Sequence, residues 1–362
     1  MKWRNIVTSE RSTGILSLQA SVIIPAYNAE ATIGLCLAGL LNQTAPRSSY
    51  EIIVVDDAST DNTAALAARY SVQVVRQNHA GPAAARNLGA QHASGDLLLF
   101  TDADCAPTST WLEAMLRSFQ QAEIMGSKGQ YLTHQQALAA RFVQLEYEEK
   151  YQRMAKERYI DFIDTYSAAY RREVFLANGG FDSTFLSASA EDQEFSFRLA
   201  EQGFKMVFVP DAVVYHTHPS SWVRYVRRKI RFGYWQALNR GKHPKKLIRD
   251  SHTPQSLKLQ VALTALLLLV ALAGLLEHLW WWAVPLILGC YSASALPLLR
   301  LTWEKDRAVM PIAPFMLGLR GAGLLAGFST GAVLFSGRWL FGKLPHRQQR
   351  LVSHVSRPKE PG

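Results

Sequence analysis

The sequence predicts an α/β fold built on a doubly wound sheet, followed by membrane helices. Over the first 218 residues, short apolar runs that end in polar or acidic side chains alternate with helical stretches, a pattern typical of such sheets. Beyond residue 258, long apolar stretches dominate, and about 20 apolar residues are enough for a helix to cross a bilayer. The chain therefore divides into a sheet domain and a membrane region.

The elements of the sheet domain follow each other in a regular order. They are predicted as strand 21–28, helix 31–42, strand 51–55, a helix to Tyr70, strand 72–75, a helix from Gly81, strand 97–100 and a helix over 108–118. Ser59 or Thr60 is expected to cap the second helix, and Pro82 suits the first turn of the third. With right-handed crossovers the strands are parallel, so their polar ends are expected to meet at one edge of the sheet.

The most informative stretch is the apolar strand 97–100, which runs into Asp102 and Asp104. Side chains alternate along a strand, so both carboxylates can point the same way. Two like charges at that spacing favour a hard cation between them, and Mg²⁺ or Mn²⁺ shared with substrate phosphates fits. The alternative is an acidic turn before the next helix. No Gly-x-Gly-x-x-Gly fingerprint follows the first strand and no Walker lysine loop occurs, which speaks against dinucleotide and P-loop sites.

Six motifs in order give the chain a family resemblance. They are SVIIPAYNAE (21–30), VVDDASTDNT (54–63), GPAAARNLGA (81–90), DAD (102–104), NGGFD (178–182) and EDQEFSFRL (191–199). With these motifs, the first two thirds of the chain resemble a family 2 glycosyltransferase with the GT-A fold, a mixed doubly wound sheet of the nucleotide-diphospho-sugar transferase type. The resemblance implies transfer of a sugar from a nucleotide-diphosphate donor.

The resemblance implies a donor site on the first strands. Asp57 would pair with the nucleotide base, the backbone around Pro25 and Tyr27 would line the base pocket, and Arg86 would lie near the nucleotide. A guanidinium suits phosphate, although Arg86 can also be read as a surface arginine of its helix. Arg231 is a further candidate for holding the diphosphate, because residues 228–232 resemble the Q/R-x-x-R-W motif of processive members, with Phe232 in place of the tryptophan.

The family pattern also assigns the metal. Asp104 would bind Mg²⁺ or Mn²⁺, and Asp102 would bind the ribose or the metal. Family members place a histidine at the end of a later strand on the metal, and His216 is favoured over His218 as this third ligand. A divalent cation on the diphosphate neutralises the charge of the departing nucleoside diphosphate.

Asp192 matches the family's general base, which removes the proton of the acceptor hydroxyl so that the anomeric configuration inverts. The alternative is that Glu191 and Asp192 are first-turn residues favoured by the dipole of helix 193–202; both interpretations can hold. By resemblance Glu191 and the loop residues Gly180, Phe181 and Asp182 would contact the sugar or the acceptor, while the glycines also read as a helix C-cap turn.

A basic segment separates the sheet domain from the membrane region. Eleven lysine and arginine residues and one acidic residue lie between positions 220 and 258, and this surplus equals the formal net charge of +10 of the whole chain. Aromatic residues interleave with the charges, as in a helix on an anionic membrane surface, although a solvated charged face is the alternative. A charge confined to one segment does not indicate a nucleic-acid partner.

The membrane region contains two apolar stretches, 259–276 and 279–299, that read as a transmembrane hairpin with tryptophans at the interface. A third stretch, 308–335, contains prolines, glycines and Arg320, and is either a span or a re-entrant segment. The bias of basic residues places the sheet domain and the tail on the cytoplasmic side of a cell (inner) membrane. Three cysteines fit a reducing compartment.

The predicted organisation is a leader (1–18) without a cleavable signal peptide, a GT-A domain (19–218), a basic interfacial segment (219–258), a transmembrane region (259–336) and a basic cytoplasmic tail (337–362). The predicted function is inverting, metal-dependent transfer of one or a few sugars to a hydroxyl of a membrane lipid or lipid-linked saccharide of the cell envelope. A processive polysaccharide synthase, a polyprenyl-phosphate glycosyltransferase, a sugar nucleotidylyltransferase and a non-enzymatic sensor are the alternatives. The donor base and sugar, the acceptor and the oligomeric state stay open.

Overall fold

The computed structural model describes residues 19–184, 190–243, 250–251 and 253–341. Its strands are β1 Ala20–Ala26, β2 Tyr50–Asp56, β3 Gln73–Arg76, β4 Leu97–Phe100, β5 Ala106–Pro107, β6 Ile124–Leu132, β7 Ala168–Arg171 and β8 Lys205–Tyr215. Its helices are α1 Ile33–Leu41, α2 Thr63–Ala67, α3 Pro82–His92, α4 Trp111–Ser118, α5 Leu138–Met154, α6 Arg172–Ala177, α7 Glu191–Glu201, α8 Trp222–Lys242, α9 Gln255–Leu276, α10 Ala283–Lys305 and α11 Ala313–Phe341. The predicted leader and the tail beyond residue 341 lie outside the described residues, as do the basic residues at 245, 246 and 249.

The eight strands form one mixed sheet in the order β3-β2-β1-β4-β7-β6-β8-β5. β3, β2, β1 and β4 are mutually parallel, whereas β7 is antiparallel to both β4 and β6. The side chains of β4 are buried on both faces, as expected of a central strand covered by helices. The predicted doubly wound mixed sheet is therefore confirmed, and the four parallel strands deliver their carboxyl ends to one edge.

The predicted cap of the second helix is wrong. α2 begins at Thr63 after Asn62, without a side-chain cap, and ends at Ala67 rather than Tyr70. Ser59 is engaged elsewhere, because its Oγ accepts a hydrogen bond of 3.0 Å from the backbone N–H of Asn28. The loops that follow β1 and β2 are thus tied to each other at the edge where the site lies.

Among the residues that the structure describes, three C-terminal helices are long and apolar enough to cross a membrane: Gln255–Leu276, His278–Lys305 and Arg307–Phe335. α9 and α10 form the predicted hairpin, and the Trp281 indole at the turn donates a hydrogen bond to the Gly274 carbonyl oxygen. α11 is one continuous helix of 29 residues, about 44 Å long. It does not reverse within its length, so the re-entrant alternative is not observed.

α8, the basic helix, is packed against protein along much of its length. Tyr225 and Trp235 are buried, so the aromatic residues expected on the membrane are limited to the exposed Trp222 and the half-buried Phe232 and Tyr234. Three glycines of α11, at 323, 327 and 331, let its backbone approach α8 closely, the small-residue packing common between apolar helices.

A buried charge cluster fastens these helices to the sheet domain. Glu146 of α5 lies 2.9 Å from the Lys229 ammonium of α8 and 3.1 Å from the Arg320 guanidinium of α11. Burial alone would raise the pKa of Glu146, but these two cations hold it down at about 2. Glu146 is therefore ionised, and α5, α8 and α11 are joined through one carboxylate.

Candidate active site

The two carboxylates predicted to bind a metal lie where β4 ends, beside the end of β8. β5 pairs with β8, and this pairing brings Asp104 to the residue that follows β8, His216. The His216 Nε2 atom lies 3.6 Å from the Asp104 Oδ2 atom. The Asp104 side chain is 47% exposed, so a ligand can reach it from solvent. Asp102 is partly buried beside it.

The donor set fits a hard divalent cation. Ligand atoms of Asp104, Cys105 and His216 lie within 4.8 Å of one another. Cys105 is buried, and burial raises the pKa of its thiol well above the ordinary value, so the thiol stays protonated and is a poor ligand for Mg²⁺ or Mn²⁺. Partial burial raises the pKa of Asp104; His216 opposes this rise and the charge of Asp102 adds to it. A bound cation would stabilise the ionised carboxylate.

His218, the rejected alternative, is buried and occupied. Its Nε2 atom lies 3.0 Å from the Gln144 Oε1 atom, and its ring stacks on Tyr147. Burial, with the nearby Arg228 and His216, lowers its pKa to about 3. It is therefore a neutral structural histidine, and the geometry favours His216 as the metal ligand.

Arg86 does not face solvent, so the alternative of a surface arginine is wrong, and its predicted place near the nucleotide stays a prediction. It is 1% exposed. Its Nη2 atom lies 2.6 Å from Asp102 Oδ1 and its Nη1 atom 3.0 Å from Glu191 Oε1. A buried guanidinium requires such carboxylate partners. Arg86 thus joins the end of β4 to the start of α7.

The structure does not place Glu191 where it could make its predicted contact with the sugar or the acceptor. It is as buried as Arg86, so it orients Arg86 rather than touching an acceptor. Asp192, one residue further, is partly buried and its Oδ1 atom accepts a 2.7 Å hydrogen bond from the Gln193 N–H. Burial raises the pKa of Asp192 well above its usual range, and the charges of Glu191 and Asp164 add to the rise. A carboxylate with a raised pKa is a stronger base.

The predicted base pocket contains a buried aspartate whose carboxylate already accepts several hydrogen bonds, and an exposed pair of aromatic rings. The Asp57 carboxylate is buried and accepts hydrogen bonds from Gln77 Nε2, the Ala80 N–H and the Gly81 N–H, at 2.7 to 2.9 Å. It therefore organises the loop before α3. Tyr27 is 49% exposed, and its ring centroid lies 4.4 Å from that of His79. Next to the partly buried Pro25, this pair offers an aromatic surface to a planar ligand.

The loop predicted to contact the sugar is mostly core. Phe181 is 2% exposed and packs on the rings of Phe100, Phe175 and Phe195 at 5.1 to 5.3 Å, so its predicted contact with the sugar is wrong. Gly180 is buried, with a φ of +65° and no room for a Cβ atom beside Asn87. Asp182 is partly buried, and its Oδ1 atom accepts a hydrogen bond from the Thr184 N–H within its own turn.

Two arginines of α8 reach the site differently. Arg231 is exposed, so its proposed contact with the diphosphate remains a prediction. Arg228 was not predicted from the sequence as a site residue. It is partly buried, and its Nη2 atom donates a 3.1 Å hydrogen bond to the Tyr147 hydroxyl. Its positive charge lowers the pKa of Asp104. The i, i+3 spacing of the two arginines on a helix was the available signal.

α8 also contacts the helix that carries Asp192. The Gln193 Oε1 atom accepts hydrogen bonds from Asn239 Nδ2, at 2.9 Å, and from Gln236 Nε2. All three side chains are buried. The helix expected at the membrane is thus attached to the first turn of α7.

This sheet topology, with an Asp-x-Asp turn at the end of β4, defines a GT-A fold, the fold of nucleotide-sugar glycosyltransferases. The chain belongs to glycosyltransferase family 2: the family model "Glycosyl transferase family 2" matches residues 21–177, and "Glycosyl transferase family group 2" matches residues 102–295. The family resemblance seen in the sequence is confirmed.

Three similar proteins illustrate the family. "Glycosyltransferase AglE" of Haloferax volcanii is 28% identical over 54% of this chain and 66% of its own length, so this chain spans just under two thirds of it. A Methanococcus voltae protein named "Dolichyl N-acetyl-alpha-D-glucosaminyl phosphate 3-beta-D-2,3-diacetamido-2,3-dideoxy-beta-D-glucuronosyltransferase" is 23% identical over 60% of this chain and 73% of its own. The structure titled "Mannosyltransferase PcManGT from Pyrobaculum calidifontis in complex with GDP-Man and Mn2+" shares 23% identity over 90% of this chain and 88% of that one, with a TM-score of 0.57.

Proposed function

We propose that this protein transfers a sugar, with inversion, from a nucleotide-diphosphate donor to a hydroxyl of a membrane lipid or lipid-linked saccharide. The observation that carries the proposal is the arrangement around Arg86. Its guanidinium holds Asp102 on one side and Glu191 on the other, so the metal turn and the turn that carries Asp192 are fixed relative to each other. A metal on one side and a base on the other are what direct displacement at an anomeric carbon requires.

On the donor side, Tyr27 and His79 would receive the nucleobase, and Asp104 with His216, joined by Asp102 near the ribose, would hold Mg²⁺ or Mn²⁺. When bound, the cation supplies Lewis-acid stabilisation of the charge on the leaving diphosphate. Arg228 adds a positive charge on the same side, since it acts on Asp104. Arg231, one helical turn further along α8, is the second candidate for the diphosphate.

On the acceptor side, Asp192 would take the proton of the acceptor hydroxyl. The acceptor oxygen then forms a bond to the anomeric carbon while the bond from that carbon to the diphosphate oxygen breaks, and the electron pair leaves with the nucleoside diphosphate. Attack from the face opposite the leaving group inverts the anomeric centre. The raised pKa of Asp192, caused by burial and by its two acidic neighbours, suits this role.

One relative supports a lipid-linked acceptor, because the name of the Methanococcus protein describes transfer to a dolichyl-linked sugar. The Pyrobaculum structure, which contains GDP-Man and Mn²⁺, supports the donor class and the metal instead. A processive synthase stays an alternative; the residues that the structure describes supply a hairpin and one further apolar helix. A polyprenyl-phosphate acceptor is the other alternative, and the test of Asp192 described in the Discussion separates it.

A hydrolysis assay tests whether the protein is an enzyme rather than a sensor. Water can take the place of the acceptor hydroxyl in the same displacement, so we expect the purified full-length protein to release nucleoside diphosphate from one member of a panel of UDP- and GDP-sugars when Mn²⁺ is added. Release of nucleoside diphosphate is measured with a coupled assay. Binding of a nucleotide sugar without any turnover, with or without membrane lipids, would favour the sensor.

We further propose that the chain crosses the membrane twice, through α9 and α10, and that α11 lies along the membrane surface. α8 carries five basic residues between positions 224 and 231, which exclude it from the hydrocarbon. α11 runs parallel to α8: Trp222 contacts Phe315 near their beginnings, and Tyr234 contacts Phe335 further on. α8 is attached to the sheet domain along its length, so α11 stays at the same depth. The tail is then cytoplasmic, as the sheet domain is.

Cysteine labelling tests this topology. In a Cys290→Ser background, where the two remaining cysteines are buried, we expect a membrane-impermeant thiol reagent added to intact cells to label Leu276→Cys at the turn between α9 and α10. Ser356→Cys, in the tail, should be labelled only after the cells are permeabilised. Labelling of Ser356→Cys in intact cells would require a third span and contradict the proposal.

A further inference from the structure

A lysine and an aspartate are buried together beside the candidate site. The aspartate is one of the two acidic neighbours of Asp192, and no step described above uses the lysine. Lys128 of β6 and Asp164 form an ion pair in which both side chains are at most 1% exposed. The Lys128 ammonium also lies 5.5 to 5.7 Å from the ring centroids of Tyr151, Phe162 and Tyr166. Burying two charges is expensive even when they are paired, so a pair at this position calls for an explanation.

The segment that carries Asp164 lies between the two halves of the site. On one side, Ser196 of α7 receives a 3.0 Å hydrogen bond from the Ile163 N–H and donates one of 2.7 Å to the Asp192 carbonyl oxygen. On the other side, the Tyr166 carbonyl oxygen accepts a hydrogen bond from Thr101, next to Asp102. The Tyr166 ring also packs on His216. Asp164 is thus held between the turn of the base and the turn of the metal.

The charges that act on Asp192 come from several elements. Glu191 and Asp164 raise its pKa and Arg86 lowers it, in addition to the dominant effect of burial. Lys128, Tyr147 and Tyr170 also interact electrostatically with Asp192. Burial lowers the pKa of Lys128, and Asp164 and Asp192 counteract that fall. Among the groups on the 163–167 segment and β6, the negative charge of Asp164 acts on Asp192 more strongly than the positive charge of Lys128.

We propose that Lys128 and Asp164 are positioning residues of the transfer reaction: they fix segment 163–167 against α7 and set the electrostatic environment in which Asp192 accepts a proton. The inference rests on the proposed role of Asp192 as the base. Without Lys128, the negative charge of Asp164 acts on Asp192 with no buried cation beside it to oppose it. Without Asp164, the Lys128 charge is unbalanced and stabilises the ionised form of Asp192.

The test is the pH profile of kcat for hydrolysis of the donor identified by the Mn²⁺ assay, with water as the acceptor. The acidic limb of the profile reports the ionisation of the base. We expect Asp164→Asn to move this limb to lower pH and Lys128→Met to move it to higher pH, each by about half a pH unit or more. Both variants should also lose kcat, because the segment is no longer fixed. A purely structural role would lower both rates without shifting the limb in opposite directions.

The double variant Lys128→Met/Asp164→Asn guards against loss of the fold, since replacing a buried pair together is often tolerated. The double variant removes both the negative charge of Asp164, which acts more strongly on Asp192, and the positive charge of Lys128. The acidic limb of its pH profile should therefore move to lower pH, but by less than in Asp164→Asn. Limbs that stay at the wild-type pH in every variant that binds nucleotide would overturn the proposal. Asp192→Asn, measured in parallel, separates the two ideas: if that variant keeps the wild-type rate and profile, the proposed function itself fails.

Discussion

Asp104→Ala is expected to abolish sugar transfer and donor hydrolysis while leaving the fold intact. Asp104 is the exposed carboxylate of the candidate metal site. Without it, His216 and Asp102 lack the carboxylate ligand that a cation from solvent would reach. The substitution removes no buried contact, so the free energy of unfolding should change by no more than about 0.5 kcal/mol. The measurements are turnover with added Mn²⁺ and the circular dichroism melting curve.

Chelation provides the independent half of this prediction. EDTA should silence the wild-type enzyme, and an excess of Mn²⁺ or Mg²⁺ should restore it. Asp211→Ala is the matched control, because Asp211 is an exposed aspartate of β8, the strand that leads to His216. This variant should keep the wild-type turnover with added Mn²⁺. Full activity of the purified enzyme in EDTA would show that the metal assignment is wrong.

The sequence was sufficient for the parallel half of the sheet and for the residues at its edge. Each of these strands is a short apolar run that ends in polar residues, so strand type, order along the chain and the edge that bears the site follow from one pattern. The pairing of Asp104 with His216 required the family resemblance, because 112 positions separate them and only the pairing of β5 with β8 brings them together.

Burial of charged residues was what the sequence could not reveal. An arginine in the motif GPAAARNLGA and a glutamate beside Asp192 are equally compatible with ligand contacts. Their burial depends on a contact across 105 positions, between Arg86 and Glu191. Phe181 was misjudged in the same way, since a motif position shows that a residue matters and not which way its side chain points. Lys128 and Asp164 gave no signal, because a lysine inside a strand is usually exposed.

The helix pair α8 and α11 shows a second limit. Composition identified a basic segment and an apolar segment, each with a plausible membrane role of its own. Their close packing depends on the stripe of glycines in α11 at 323, 327 and 331 and on the buried Arg320. From the sequence alone, the glycines and the arginine only indicate that the apolar stretch is interrupted. In the structure they are the contact surface that places α11 beside α8.

The chemistry of the acceptor follows from the presence of Asp192. An acceptor phosphate is already ionised at neutral pH and has little need of a base, whereas a hydroxyl, with its far higher pKa, must lose its proton during attack. A partly buried carboxylate with a raised pKa at the start of α7 is matched to a hydroxyl. The connection of α7 to α8 through Gln193 and Asn239 puts Asp192 next to the helix expected at the membrane surface, where the proposed lipid-linked acceptor would arrive.

Asp192→Asn is therefore expected to bind the donor normally and to lose transfer by about 10²-fold or more, the usual effect of removing a general base. The wild-type rate should rise with pH through the raised pKa of Asp192, since only the ionised form accepts the proton, and the variant should lack this limb. Donor affinity is measured by calorimetry, and transfer in nanodiscs made with lipids from cells that express the protein. Asp211→Asn is the matched control. A wild-type transfer rate in Asp192→Asn, or a product in which the sugar is attached to a polyprenyl monophosphate, would exclude the hydroxyl acceptor.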